Sequence, residues 1–311
     1  MELIEVFVQI LPLFLLLFIG VIVKKAGLAP ISFRKSLTDL CFVVLFPAAT
    51  IKSFSIEVTK GMLLDSLKLI LVGVVAIWAP LLLAMLIIKL TRQDIPSSNV
   101  YIFALMFNNI GFVGFGMTLS LYGSEGIFYL TMFAIAGCLS FNSFGIIVMQ
   151  RGGSDGDKVS LQHVLLNPPI IGLVVAVPIM LFQIPLPHYI NETVTMLSNC
   201  LAPLGMMVTG MSIADYNLRE LLSGYQAFLI SALRLLAIPA GCALIMRAIG
   251  ISDVALATCT LAIAMPVAAS CSLLAQKYDG NTKFAAQSVL ISTLLSILTL
   301  PLIVYFAEQV V

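Results

Sequence analysis

Histidine is almost missing from this chain: His163 and His188 are the two it has in 311 residues, and both sit in connecting segments. No histidine constellation exists for a metal centre or for activating a nucleophile. Charge is scarce as well. Asp, Glu, Lys and Arg make up 10% of the residues against 60% hydrophobic ones, and the mean hydropathy is +1.11. That balance lies far outside the range of soluble domains. The formal charge is only +1, so there is neither a basic face for nucleic acid nor an acidic tail. All six cysteines (Cys41, Cys138, Cys200, Cys242, Cys259, Cys271) fall in apolar runs without C-x-x-C spacing, which argues against a disulfide framework and against thiolate metal ligation. The first residues, MELIEVF, are acidic where a signal peptide is basic, and no small-residue cleavage site follows. The first apolar run is therefore predicted to be a retained membrane span.

What is present is membrane-spanning sequence. Charges cluster in short islands between apolar runs of about 20 residues, the length that crosses a bilayer. Ten spans are predicted, at roughly 4–23, 34–54, 63–90, 99–121, 126–149, 165–184, 191–213, 221–247, 254–277 and 284–307. The third and eighth are long enough to tilt. One sizeable polar connector, QRGGSDGDKVSLQH at 150–163, divides the chain near its middle. The predicted organisation is a five-helix unit at 1–150, a cytoplasmic linker at 151–163 and a second five-helix unit at 164–311, with no soluble domain. With the N-terminus outside, eleven basic residues fall in inner connectors, four in outer ones, and Arg234 falls within a span. The positive-inside bias places both termini outside and the central loop in the cytoplasm. The expected location is a cell membrane, of the kind of a bacterial inner membrane, with the lipid bilayer as partner and a homodimer left open.

The two halves echo each other. LSLYGSEG (119–126) closes the fourth span and LAQKYDGN (274–281) closes the ninth; setting Tyr122 against Tyr278 puts Asn109-Ile110 opposite Met265-Pro266. DLCFVVLFP (39–47) and SNCLAPLGM (198–206) align Cys41 with Cys200 in the second and seventh spans. Five is an odd number, so a duplicated five-span unit enters the membrane in opposite senses. The predicted fold is thus an all-α membrane protein built as a five-plus-five inverted repeat, the architecture of secondary transporters, with a site at the midplane.

Within the fourth span, FNNIGFVGFGM (107–117) puts two carboxamides and three glycines where a helix is most needed. Gly is permissive and Asn competes for backbone groups, so intrahelical bonding is weak there. In the ninth span, Pro266 supplies no N–H and frees the carbonyl of Ala262. Each break begins a second half-helix, with Pro266 suited to its first helical position. Non-helical backbone at membrane depth must face protein or water, so the two breaks are expected to meet. Half-helix N-termini favour an anion, and Asn108 and Asn109 add neutral donors that can hydrogen-bond a carboxylate. The expected substrate site comprises Asn108, Asn109, Gly111, Met265, Pro266, Val267 and Ser270. The competing reading is close helix packing through GFVGFG.

FNNIGFVGFGM, AMPVAASCSLLAQKY (264–278) and NCLAPLGMMVTGMSI (199–213), together with the length and layout, resemble the auxin efflux carrier family, whose broader fold is shared with bile acid:sodium symporters. The resemblance covers essentially the whole chain. It implies scaffold and transport parts formed by both repeats, with the fourth and ninth spans crossing as broken helices in the transport part. By position, Asn108, Asn109, Gly111 and Pro266 match the family's crossover motif. The long cytoplasmic loop of plant members is missing, so regulation through such a loop is not expected.

Coupling is less legible. Glu125 lies at the outer edge of the fourth span, and no acidic residue lies near Pro266. Asp39 is placed to pair with Lys35, and Asp65 shares a face of the third span with Lys68. Arg234 either serves the transport path or snorkels and pairs within the scaffold. Asn142 and Gln287, with Thr118, Tyr122 and Ser270, are polar residues that could line the cavity or tie helices together. An embedded enzyme would need a nucleophile–base pair or a metal cluster, and the spans offer neither. The expected function is a cofactor-free secondary carrier of a small organic anion, a mono- or dicarboxylate, by alternating access. The alternative is a sodium-coupled symporter of bile-acid type.

Overall fold

The computed structural model describes residues 3–55, 60–151, 168–214, 224–251 and 253–310. Among these the chain is helical, and its strand-like pairing is one antiparallel bridge between Asn108 and Val267. The helices are α1 (Leu3–Lys25), α2 (Ile31–Leu40, continuing through Cys41–Leu45 to Phe46–Phe54), α3 (Lys60–Thr91) and α4 (Ile95–Met106). Next come α5 (Ile110–Gln150), α6 (Pro168–Leu181), α7 (His188–Ile213) and α8 (Tyr225–Ala248). The chain ends with α9 (Asp253–Ile263), α10 (Ser270–Lys277) and α11 (Thr282–Val310). Of the predicted linker at 151–163, residues 152–163 lie outside the described residues.

Among the described residues, seven helices are long and apolar enough to cross a membrane, where the sequence predicts ten spans. The difference has local causes. The predicted fourth and ninth spans are each interrupted, leaving α4 and α9 as shorter apolar helices, and α6 is described only from Pro168 onwards. The rest of the fourth span runs into the fifth as the 41 residues of α5. A straight helix of that length would reach about 60 Å, twice the hydrocarbon core. It is not straight: Gly123 sits at φ 59°, ψ −149°, a conformation open to glycine, and divides α5 into two limbs. The boundary predicted between 121 and 126 falls on that kink.

Helix starts follow their sequence signals. The Asp94 carboxylate accepts the Ser97 N–H at 3.2 Å at the head of α4, and the Asn281 side chain accepts the Phe284 N–H at 3.0 Å at the head of α11. Asn281 also donates to the Ser97 hydroxyl at 2.9 Å, tying the two heads together. Wide π-turns interrupt the α-helical register at Cys41–Leu45, Ile110–Gly114, Phe141–Gly145 and Leu233–Ala237. Such turns are frequent at functional sites.

The helices pack in two groups. α1 lies along α7, and α2 lies against α6 and α7. α3, α4 and α5 pack together and meet α8–α11, with α9 set between α5 and α11. The α1–α7 crossing is close because Gly20 and Gly210 expose backbone: a Cβ on either would collide with the carbonyls of Met207 and Leu17. Between the groups, Gly116 of α5 lies on Ala202 of α7, and Gly205 of α7 lies on Phe112. An aromatic cluster fills the remaining gap: Phe46 of α2 stands 4.8 Å from Phe115 and Phe42 stands 5.1 Å from Phe112, ring centre to ring centre.

Candidate substrate site at two interrupted helices

α4 ends at Met106 and α5 begins at Ile110; α9 ends at Ile263 and α10 begins at Ser270. The two gaps are non-helical and lie side by side, bridged at Asn108 and Val267. Asn109 N–H donates to Pro266 O at 2.8 Å, and Ala268 N–H donates to Phe107 O at 3.3 Å. Backbone groups that no helix satisfies are therefore satisfied by each other, which is what permits buried chain without helix here. Pro266 is not the first helical residue. The bridge needs extended chain on both sides of Val267, so Pro266 stays in the gap and α10 starts at Ser270 behind Ala269.

The asparagines divide the work. Asn108 Nδ2 donates to Ala262 O at 2.6 Å and lies 3.4 Å from Ile263 O. Ala262 offers the carbonyl that Pro266 cannot bond, so Asn108 caps the end of α9 from the opposite break. This amide, expected to face a ligand, is engaged by protein. Asn109 behaves differently: Oδ1 accepts the Phe112 N–H at 3.4 Å, and its amide nitrogen has no partner among the described residues. Asn109 is 6% exposed, while Asn108, Ile110, Gly111, Ala269 and Ser270 are half-buried, so the open side of the crossover is bordered by the starts of α5 and α10. Met265 and Val267 are fully buried. Gly111 presents bare backbone to the Phe46 ring, where a Cβ would come within 3.2 Å.

Two residues hold the crossover from outside. Ser292 of α11 accepts the Val267 N–H at 3.0 Å and donates to its own Val289 O at 3.1 Å. Arg234, on the π-turn of α8, is 2% exposed and donates through Nη1 to Leu105 O at 2.8 Å, capping α4. It does not snorkel, and its Nε has no partner among the described residues.

The other expected candidates lie elsewhere. Asp39 and Lys35 are exposed, and no ion pair joins them. Asp65 is buried with Lys68 Nζ at 3.4 Å, and Lys68 also donates to Gly250 O at 3.2 Å, tying α3 to the turn before α9. Asn142 donates to Cys138 O at 2.8 Å within its own helix. Gln287 is buried on α11 beside Gly224. Among the described residues, no three His, Cys, Asp or Glu side chains gather so as to hold a metal ion.

Two broken helices paired through their gaps inside an apolar chain suit a solute carrier, and comparison with known proteins agrees: the family described as "Membrane transport protein" matches residues 5–304. The chain belongs to that family. As a membrane transport protein it resembles an uncharacterized transporter of Methanocaldococcus jannaschii, 25% identical over 304 residues, covering 94% of this chain and 96% of the relative. It also resembles an uncharacterized transporter of Methanothermobacter thermautotrophicus, 27% identical over 194 residues, covering 62% of this chain and 63% of the relative. The protein is a transport protein rather than an enzyme.

Proposed function

We propose that this membrane transport protein is a secondary carrier of auxin-efflux-carrier type that moves a small organic anion, a carboxylate, by alternating access. The observation that carries the reading is the pairing of two interrupted helices. It brings the N–H ends of α5 and α10 and the open amide of Asn109 to one half-buried place. Free N–H groups at a helix start, joined by a neutral amide, suit a carboxylate without the desolvation cost of a fixed cation in direct contact. In this reading the chain crosses the membrane ten times as an inverted repeat. α4 with the first limb of α5 makes one crossing, α9 with α10 makes another, and the limb of α5 beyond Gly123 makes its own. Both termini lie outside and the central loop lies in the cytoplasm. Thermal-shift screening of the purified protein against carboxylates, followed by uptake of the best into proteoliposomes, tests it. Stabilisation by matched neutral amides equal to that by the acids would refute the anion assignment.

A further inference from the structure

The four helix ends at the crossover cancel electrically. α4 and α9 bring carbonyl ends, each worth about −0.5 of an elementary charge, and α5 and α10 bring N–H ends of about +0.5 each. Their sum is near zero, so helix ends alone do not give this place a net sign. A full charge does: Asp65 and Arg234 are the charged side chains buried among the described residues, and Asp65 has Lys68 beside it. Arg234 has no carboxylate partner among them; it has one carbonyl, Leu105 O, and an unpartnered Nε. Leu105 precedes Asn108 by three residues, at most about 10 Å of chain. An un-neutralised guanidinium in a dehydrated span is costly, and ionisable residues kept there mark substrate and ion pathways or serve as ligand counter-ions.

We propose that Arg234 is the fixed countercharge of the carried anion, held on the α4 carbonyl end beside the site rather than in it, and that it sets the preferred valence at one. The proposal rests on the anion-carrier reading. Arg234 is a positioning residue, acting through its field on an anion seated at Asn109 and the α5 and α10 starts. A unit charge about 10 Å away at an effective dielectric of about 20 favours an anion over a neutral isostere by roughly tenfold.

The test uses full-length protein in nanodiscs and three matched pairs: benzoate with benzamide, hexanoate with hexanamide, and succinate with succinamide. Affinities are compared for wild type, Arg234→Gln and Arg234→Lys. Gln removes the charge and ends about two bonds short of the Nη1 position, so it gives up the Leu105 O bond as well and unchanged amide binding must show that the site is intact, whereas Lys keeps the charge. Wild type should favour at least one monocarboxylate over its amide and gain nothing further from succinate. Arg234→Gln should lose that preference about tenfold with amide binding unchanged, and Arg234→Lys should keep it. Arg234→Gln with an undiminished preference overturns this proposal and leaves the anion site standing. Wild type that binds acids no better than amides removes the anion site itself. Should Arg234→Gln fail to insert, loss of the preference in Arg234→Lys overturns the proposal.

Discussion

Replacing Asn108 and Asn109 separately by alanine distinguishes architecture from ligand binding, because the two amides meet different partners. Asn108→Ala removes the 2.6 Å bond to Ala262 O and the longer contact to Ile263 O. Ala262 O keeps only the Met265 N–H at 3.4 Å, a poor substitute at the end of a buried helix. A buried carbonyl left short of a donor costs about 1–3 kcal/mol. For a chain of this size that lowers the melting temperature by a few degrees. Asn109→Ala removes a long 3.4 Å cap on Phe112 N–H, worth no more than about 0.5–1 kcal/mol. Its free amide, however, is the donor available to a carboxylate, and hydrogen bonds to charged groups contribute about 1.5–3 kcal/mol, or roughly ten- to a hundredfold in affinity. Melting curves in detergent and carboxylate binding in nanodiscs, measured on both variants, should therefore give opposite patterns: Asn108→Ala unstable, and Asn109→Ala stable but weak-binding. Equal melting temperatures for Asn108→Ala and wild type, or undiminished binding by Asn109→Ala, would refute the assignment of roles.

The breaks were legible because their chemistry is local. Asn-Asn-Ile-Gly and Met-Pro weaken a helix wherever they occur, and the freed Ala262 carbonyl followed from proline's missing N–H. What received that carbonyl was not legible. An amide at a break is satisfied equally by a ligand or by backbone, and only the three-dimensional pairing shows Asn108 reaching Ala262 across the crossover. Pro266 was misplaced for a related reason: helix-start preference is a local rule, and the bridge between Asn108 and Val267 overrides it by keeping the gap non-helical through Ala268. Arg234 stood out as a lone ionisable residue in a span, but its target, Leu105 O, is 129 residues away in sequence. Ser292 gave no usable signal. Ser288, Thr293 and Ser296 of the same helix bond carbonyls three or four residues back, as membrane hydroxyls commonly do, and nothing in the sequence marks Ser292 as the one that also accepts from another helix.

Ser292→Ala should leave the buried Val267 N–H without an acceptor and cost about 1–3 kcal/mol of stability, while Ser296→Ala, which removes only a bond within its own helix, should cost less; paired melting curves check it. Replacing external sodium with potassium should leave proteoliposome uptake unchanged, since no acidic residue lies near Pro266, and a steep sodium dependence would favour the symporter alternative. With Cys200, the exposed native thiol, changed to serine, Glu2→Cys and Gln309→Cys should react with an impermeant external thiol reagent in intact cells; external labelling of Ser154→Cys would overturn the topology. Pro266→Ala probes the crossover itself. Pro266 contributes its carbonyl to Asn109 N–H, and alanine keeps that carbonyl, so the substitution by itself removes no hydrogen bond of the bridge. What alanine adds is an N–H in register with Ala262 O, the acceptor now used by Asn108. The new donor competes for that carbonyl, draws the gap toward helix and loosens the hold of Asn108 on α9. The variant should melt at or above the wild-type temperature yet transport poorly, because a gap drawn into helix withdraws the α10 start from the ligand. Normal transport by a stable Pro266→Ala protein would mean that the break serves packing alone.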